Sequence, residues 1–361
     1  MNRFAAALAL VATVFAGALC ADRISYWKGA GAKRVVDSLD NVTVTSWNAK
    51  SVAYKTADNK TGNVDTAAVL SLDRKGGSMS KDLEAAINMI AEDAGGAAEQ
   101  LGQLATKGSD LDKEEAQYRR AGIYANEARA SNKLNVVTAA ISELGAYVNK
   151  YKAGFYARDA YTSMVTFQRR AKKDADARAT LKAMINADPS LQRLGNQKLG
   201  ELEAAVGDWK AALSAFKSAE GGAGDDKNAK YLAMAWQGLA TLKGGDSAAA
   251  RPLLESVTGD DSFQDDTSLE DEAALAVAFP ALGDVYWEGG NFQKAYDNYV
   301  MGAYYVWWNA GENEGYCLGQ AYLCAKKLQG TDAKWKERVE KLKTALAVGF
   351  PRELQRVEQA K

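Results

Sequence analysis

The alternation of apolar and polar positions changes period once along the chain. Between residues 22 and 74 it has period two. Arg23-Ile24-Ser25-Tyr26-Trp27 is a strand-type run that breaks at Gly29-Ala30-Gly31. Asn41-Val42-Thr43-Val44-Thr45 and Ser51-Val52-Ala53-Tyr54-Lys55 alternate in the same way. Asp58-Asn59-Lys60-Thr61-Gly62 has turn composition, and Val64 to Leu72 predicts one last strand. These runs predict a small rolled sheet or barrel over 22–74, followed by a Gly-rich linker at 75–80. From about residue 80 the period becomes that of helices and stays so. Lys81–Ala91 pairs with Gly96–Thr106, Glu114–Arg129 with Leu134–Tyr147, and Arg158–Arg170 with Asp174–Asn186. The four prolines, at 189, 252, 280 and 351, suit a nearly all-helical region. The expected fold class is mainly α, an α-solenoid of antiparallel helix pairs preceded by a small β-barrel-like domain.

In the C-terminal half the helices recur with the same residues at the same places. Leu199-Gly200 leads through the turn Gly207-Asp208-Trp209 to Ala212 and Phe216. Gly238 leads through Gly245-Asp246 to Ala250 and Leu254. Leu282-Gly283, with Tyr286, leads through Gly290-Asn291-Phe292 to Ala295 and Tyr299, and Leu318-Gly319, with Tyr322, opens a fourth unit. The first-helix glycines fall at intervals of 38, 45 and 36 residues. This pattern resembles the tetratricopeptide repeat (TPR) family, whose period is about 34. The resemblance covers 190–347, with divergent helical repeats over 81–189 and a C-terminal tail at 348–361. It implies that each Gly and Ala sits where paired helices cross, and that each turn glycine adopts the left-handed conformation that ends a helix. The β-rich segment is similar in pattern to the small SH3-like modules at the front of exported bacterial proteins. Val137 through Leu144-Gly145-Ala146-Tyr147 to Tyr156-Ala157 is similar to divergent repeats in outer-membrane assembly lipoproteins.

Residues 1–21 read as a signal peptide: Arg3 is a short positive region and Phe4 to Leu19 an apolar run too short for a membrane span. Cleavage after Ala18, Cys20 or Ala21 fits. Lipidation of Cys20 is the alternative, and Leu19 departs from the small residue that such a site needs just before the cysteine. The chain is therefore expected to be exported, periplasmic or secreted, with membrane association only if Cys20 is lipidated. Cys317 and Cys324 lie on one helix, roughly 10 Å apart along its axis, too far for a disulfide. They read as small buried residues.

Composition narrows the chemistry. Net charge is -1, and no basic stripe with interleaved aromatics is present, so nucleic acid is not an expected partner. There is no histidine, which excludes Ser–His and Cys–His catalysis and imidazole-bound zinc. Ser78-Met79-Ser80-Lys81 and Lys60-Thr61-Gly62 match short motifs of penicillin-binding enzymes in the wrong order. The acidic run Asp260-Asp261, Asp265-Asp266 and Glu270-Asp271-Glu272 lacks calcium-loop spacing and reads as a solvated loop and helix start, with Thr267 and Glu270 as a capping box. No catalytic, metal or cofactor residue is expected.

The aromatic density between Tyr286 and Tyr322 exceeds what packing needs, and it includes Trp307 and Trp308. In tetratricopeptide arrays the first helices line a concave groove that takes peptides. Matched residue by residue, the resemblance puts Asp284, Trp287, Asn313, Tyr316 and Gln320 on that inner face, where Tyr and Trp make favoured contacts. The expected function is a non-enzymatic exported scaffold that binds a protein or peptide partner. The alternatives are an envelope component that self-assembles or binds cell-wall polymer, and a carboxylate-dependent enzyme acting on glycans.

Overall fold

A computed structural model describes residues 22–29, 35–75, 78–259, 269–308 and 313–359. The signal segment with Cys20, the acidic pairs at 260–261 and 265–266, and Thr267 lie outside these residues, as do the side chains of Glu270, Asp271, Trp307 and Trp308. The chain divides into two compact units, Met1–Gly195 and Asn196–Lys361.

The first unit opens with five antiparallel strands: β1 (Asp22–Lys28), β2 (Val35–Trp47), β3 (Ser51–Thr56), β4 (Thr61–Asp65) and β5 (Val69–Asp73). Their order in the sheet is β4-β3-β2-β1-β5. Strand β2 is long enough to pair with β1 along its first part and β3 along its second. Between them the backbone turns at Asn41, which takes a left-handed φ of 59° beside a register shift. Ile24, Val42, Val44, Val52 and Val64 form the buried row of the sheet. The single strand expected over 64–72 is two strands. Asp65 accepts a hydrogen bond from the Ala67 amide at 2.8 Å and starts a 3-10 turn over Thr66–Ala68. That turn carries the chain away from β3 and lets β5 return beside β1.

The helices of this unit are α1 (Lys81–Met89), α2 (Ala94–Leu104), α3 (Asp110–Ala130), α4 (Leu134–Lys150), α5 (Ala157–Arg170) and α6 (Asp174–Ala187). Ser80, of the Ser-x-x-Lys motif, is the N-cap of α1. The sheet is tied to α3 by buried charge. Arg74, at the edge of the expected linker, is 4% exposed and bonds Asp112 at 2.9 Å and Glu115 at 2.7 Å. Glu114 accepts from the Trp47 indole at 2.7 Å, the Tyr147 hydroxyl at 2.7 Å and the Phe155 amide at 2.8 Å.

The second unit begins within α7 (Pro189–Ala205) and continues through α8 (Trp209–Gly221), α9 (Lys227–Lys243), α10 (Ser247–Thr258), α11 (Leu269–Glu288), α12 (Phe292–Trp308), α13 (Glu314–Leu328), α14 (Ala333–Gly349) and α15 (Pro351–Gln359). Three pairs share one crossing geometry. A β-carbon on Gly200 would lie 2.5 Å from the Phe216 ring, one on Gly238 2.5 Å from Leu254, and one on Gly283 2.7 Å from the Tyr299 ring. In each pair the partner is sixteen residues on, so the helices approach only because the first lacks a side chain there. The turns repeat too. Gly207, Gly245 and Gly290 have φ of 84°, 93° and 72°. The next residue, Asp208, Asp246 or Asn291, then accepts from an amide three residues ahead and starts the second helix.

The fourth unit departs from this pattern. A β-carbon on Gly319 would meet the Glu353 side chain of α15, and one on Gly315 would lie 2.8 Å from Phe350. The expected tail is therefore a helix packed along α13, in the place where a further first helix would stack. The helix pairs bury a continuous core that includes Tyr299, Trp335 and Leu346. No described helix is long and apolar enough to cross a membrane.

Candidate functional site

Asp284 and Trp287 sit one turn apart on α11. Asn313, Tyr316 and Gln320 follow each other at one-turn spacing along α13. Tyr316 and Gln320 project about 100° round the helix from Gly315 and Gly319. The last helix, α15, packs on those glycines and reaches the adjoining Tyr316 face through Arg356.

The structure joins the two rows through Asp284. Its Oδ1 accepts the Tyr316 hydroxyl at 2.6 Å and the Tyr299 hydroxyl at 2.8 Å, and its Oδ2 lies 3.2 Å from Lys243 Nζ. One carboxylate thus links α9, α11, α12 and α13. Its side chain is only 16% exposed, so it is chiefly an internal staple. Burial, reinforced by the charge of Asp284, pushes the Tyr299 and Tyr316 hydroxyls far above their ordinary pKa. Both remain protonated donors throughout the physiological range.

Trp287 is half-buried and packs edge-on against Phe292, with ring centroids 5.1 Å apart. Gln320 is half-buried as well. Asn313 is exposed, makes no side-chain capping bond, and accepts the Cys317 amide through its carbonyl. Tyr316 lies edge-on to Tyr299 at 6.3 Å, and the Arg356 guanidinium stands 5.9 Å from its ring. Both Cys317 and Cys324 are free and buried, and burial pushes each thiol up to about 12. Neither is a nucleophile near neutral pH.

Of the five residues expected here, Asp284 and Tyr316 touch, while Trp287 lies one turn from Asp284 on α11 and Asn313 and Gln320 lie one turn to either side of Tyr316. Lys243 and the hydroxyl of Tyr299 were missed. Tyr299 was legible only as a packing ring, and Lys243 sits at the end of α9 with no motif to mark it. Asp284 is occupied by two hydroxyls and an ammonium, and beside it stand the half-buried Trp287 and Gln320 and the exposed Asn313.

No family model matches the sequence, and the search of curated proteins finds no match. Solved structures do match. The apo form of the quorum sensor NprR from B. thuringiensis is 13% identical, with a TM-score of 0.50, covering 76% of this chain and 79% of that one. PilW, a type IV pilus biogenesis factor, is 14% identical at a TM-score of 0.48, covering 70% of this chain and 100% of that one. A tetratricopeptide repeat protein from Parabacteroides merdae is 13% identical at a TM-score of 0.34, covering 63% of this chain and 98% of that one. These likenesses concern the fold alone. That fold is a tetratricopeptide-like solenoid with a small antiparallel sheet before it.

Proposed function

We propose that this chain is a non-enzymatic, exported scaffold that holds a protein or peptide segment on the face formed by α11 and α13. The observation that carries this reading is the Asp284 staple. It locks neighbouring first helices together with buried hydroxyls and leaves Trp287, Gln320 and Asn313 beside it as preorganised contacts. Rigid aromatic side chains on such a surface bury large area at small entropic cost. In this reading, export follows from the apolar segment at 1–21, and the envelope is the compartment. The leading sheet is an SH3-like module. A single meander whose last strand returns to the first, a long shared β2 and a 3-10 turn before β5 support that reading.

The test is quantitative capture of envelope proteins by the mature protein, its Trp287→Ala/Gln320→Ala form and its Tyr316→Phe form. The double variant should lose its specific partner by roughly tenfold or more. Tyr316→Phe keeps the ring and should retain most binding. Equal recovery by the wild type and the double variant sinks the groove. Mass spectrometry of the mature N-terminus tests export and the state of Cys20.

A further inference from the structure

Three helices of the first unit, α4, α5 and α6, meet round a cavity of about 410 Å³. That is the size of a small-molecule pocket. Small residues keep it open: Gly145 on α4, and Ala179 and Ala183 on α6. Gly145 differs from the crossing glycines of the second unit. A β-carbon there would meet nothing closer than the Met164 methyl, at 3.6 Å, so no large group of a neighbouring helix fills the space beside it.

Two buried hydroxyls line this cavity without a partner. Tyr161 on α5 is 2% exposed and Thr180 on α6 is 6% exposed. Neither side chain makes a hydrogen bond among the described residues. Burial alone raises the Tyr161 pKa, with no charge or hydrogen bond contributing. Thr180 also departs from its neighbours. Thr138, Thr162 and Thr166 return their hydroxyls to the carbonyl four residues back, and Thr180 forgoes that bond. Both oxygens are accessible rather than sealed in the interior, and the cavity is the space they reach. A buried donor without an acceptor is costly, so chains keep one chiefly where water or a bound molecule accepts from it.

Water would satisfy the hydroxyls but gains nothing from the apolar remainder of the lining, where Met164 offers an adaptable thioether. Lys152 is the sole charged residue of that lining. It has no ion pair among the described residues, and no carboxylate lines the cavity. We propose that the cavity binds a small organic acid. Its acyl oxygens accept from Tyr161 and Thr180, its apolar body lies against Met164, Ala179 and Ala183, and Lys152 favours the carboxylate over a neutral acyl group. This site lies in the first unit and does not depend on the α11–α13 face.

The experiment is an NMR titration of the full chain, labelled at Met and Ala methyls, with hexanoate and phenylacetate and with their primary amides. The carboxylates should shift the Met164, Ala179 and Ala183 signals with a Kd of about 1 mM or tighter. The amides should bind roughly threefold to tenfold more weakly, and Lys152→Ala should weaken the carboxylates to the same degree. Tyr161→Phe and Thr180→Val should each weaken binding by about fivefold. Tyr161→Phe should leave the urea midpoint unchanged or raised, since the hydroxyl it removes has no partner in the chain. Ala183→Leu, at an exposed helical position, should fill the cavity and abolish the shifts. The proposal is overturned if neither carboxylate moves these methyls, which would leave water as the occupant. It is also overturned if the amides bind as tightly as the acids, or if the Tyr161, Thr180 or Ala183 variants bind like the wild type. A lowered urea midpoint for Tyr161→Phe would overturn it too, by showing the hydroxyl engaged within the chain.

Discussion

The two units hold themselves together by opposite means. In the first, the sheet meets α3 through buried charge: Arg74 between Asp112 and Glu115, and Glu114 beneath three donors. In the second, paired helices meet through missing side chains, with Gly200, Gly238 and Gly283 each receiving a large group from the next helix. Apolar packing degrades gradually when perturbed, because neighbours relax. A buried ionic junction is all or none, because removing one partner strands the other in a low-dielectric interior. The sheet-bearing unit should therefore be the more brittle to single polar substitutions and the repeat unit the more tolerant.

The strongest test of that difference is Arg74→Ala. It leaves Asp112 without its cation and Glu115 with Arg119 alone, both carboxylates nearly without solvent contact. A loss of about 3–5 kcal/mol is expected in urea unfolding, and the transition should split as the first unit melts early. Glu114 sharpens the same point through pH. Burial raises its pKa, although three hydrogen bonds to its carboxylate oppose the rise. The folded state thus holds this proton more tightly than the unfolded chain. The stability it contributes is full below the ordinary glutamate range and is lost as pH rises through the raised value. Glu114→Gln should remove that slope. It should also lower stability, since an amide cannot accept from Trp47, Tyr147 and Phe155 as the carboxylate does. An unchanged pH profile in the variant would show that Glu114 is not the group responsible.

Within the repeats, alanine at the crossing glycines should separate the first three pairs from the fourth. Gly283→Ala presses a methyl group into the Tyr299 ring and should cost about 1–3 kcal/mol. Gly319→Ala meets the flexible end of Glu353, which can swing towards solvent, and should cost less than about 1 kcal/mol. Equal losses in thermal melts would mean that the fourth unit crosses like the others. The Asp284 staple comes next in size. Tyr316→Phe removes one of its two hydroxyl donors while Tyr299 and Lys243 remain, so about 1 kcal/mol is expected.

The contrast also explains what could be read in advance. The repeats were legible because their determinants are small and periodic: glycine at a crossing, Gly-Asp or Gly-Asn at a turn, a large group sixteen residues on. The strands were legible from alternation, except where Asp65 capped a turn inside an otherwise apolar-polar run. Arg74 was not legible. Arg74-Lys75 followed by two glycines has linker composition, and only the tertiary structure brings Asp112 and Glu115 to Arg74. The repeat register puts Trp287 and Tyr316 on one expected face, but Asp284, which reads as a contact residue there, is mostly occupied by its neighbours. Register tells which face a side chain is on, whereas its partners depend on helices that lie dozens of residues away.

The smallest expected effect lies where one unit borrows the device of the other. The turn between α5 and α6 closes like the glycine turns of the repeats: the Lys172 amide bonds the Arg169 carbonyl at 2.9 Å and the Lys173 amide reaches back to Gln168 at 2.8 Å. Yet the residue in the left-handed position is Lys172, with φ of 58°, where the repeats place Gly207, Gly245 and Gly290. A β-carbon in that conformation costs about 1–2 kcal/mol, partly offset because glycine loses more freedom on folding. Lys172→Gly should therefore stabilise the first unit by about 0.5–1 kcal/mol, read as a rise in its unfolding midpoint without a change in slope. Gly245→Lys in the second unit should move stability the other way by a similar amount, since nothing lies near a β-carbon there and backbone conformation alone is tested. If Lys172→Gly destabilises, the lysine side chain holds the turn through a contact of its own. The shared turn geometry would then be a coincidence of backbone shape rather than a common device.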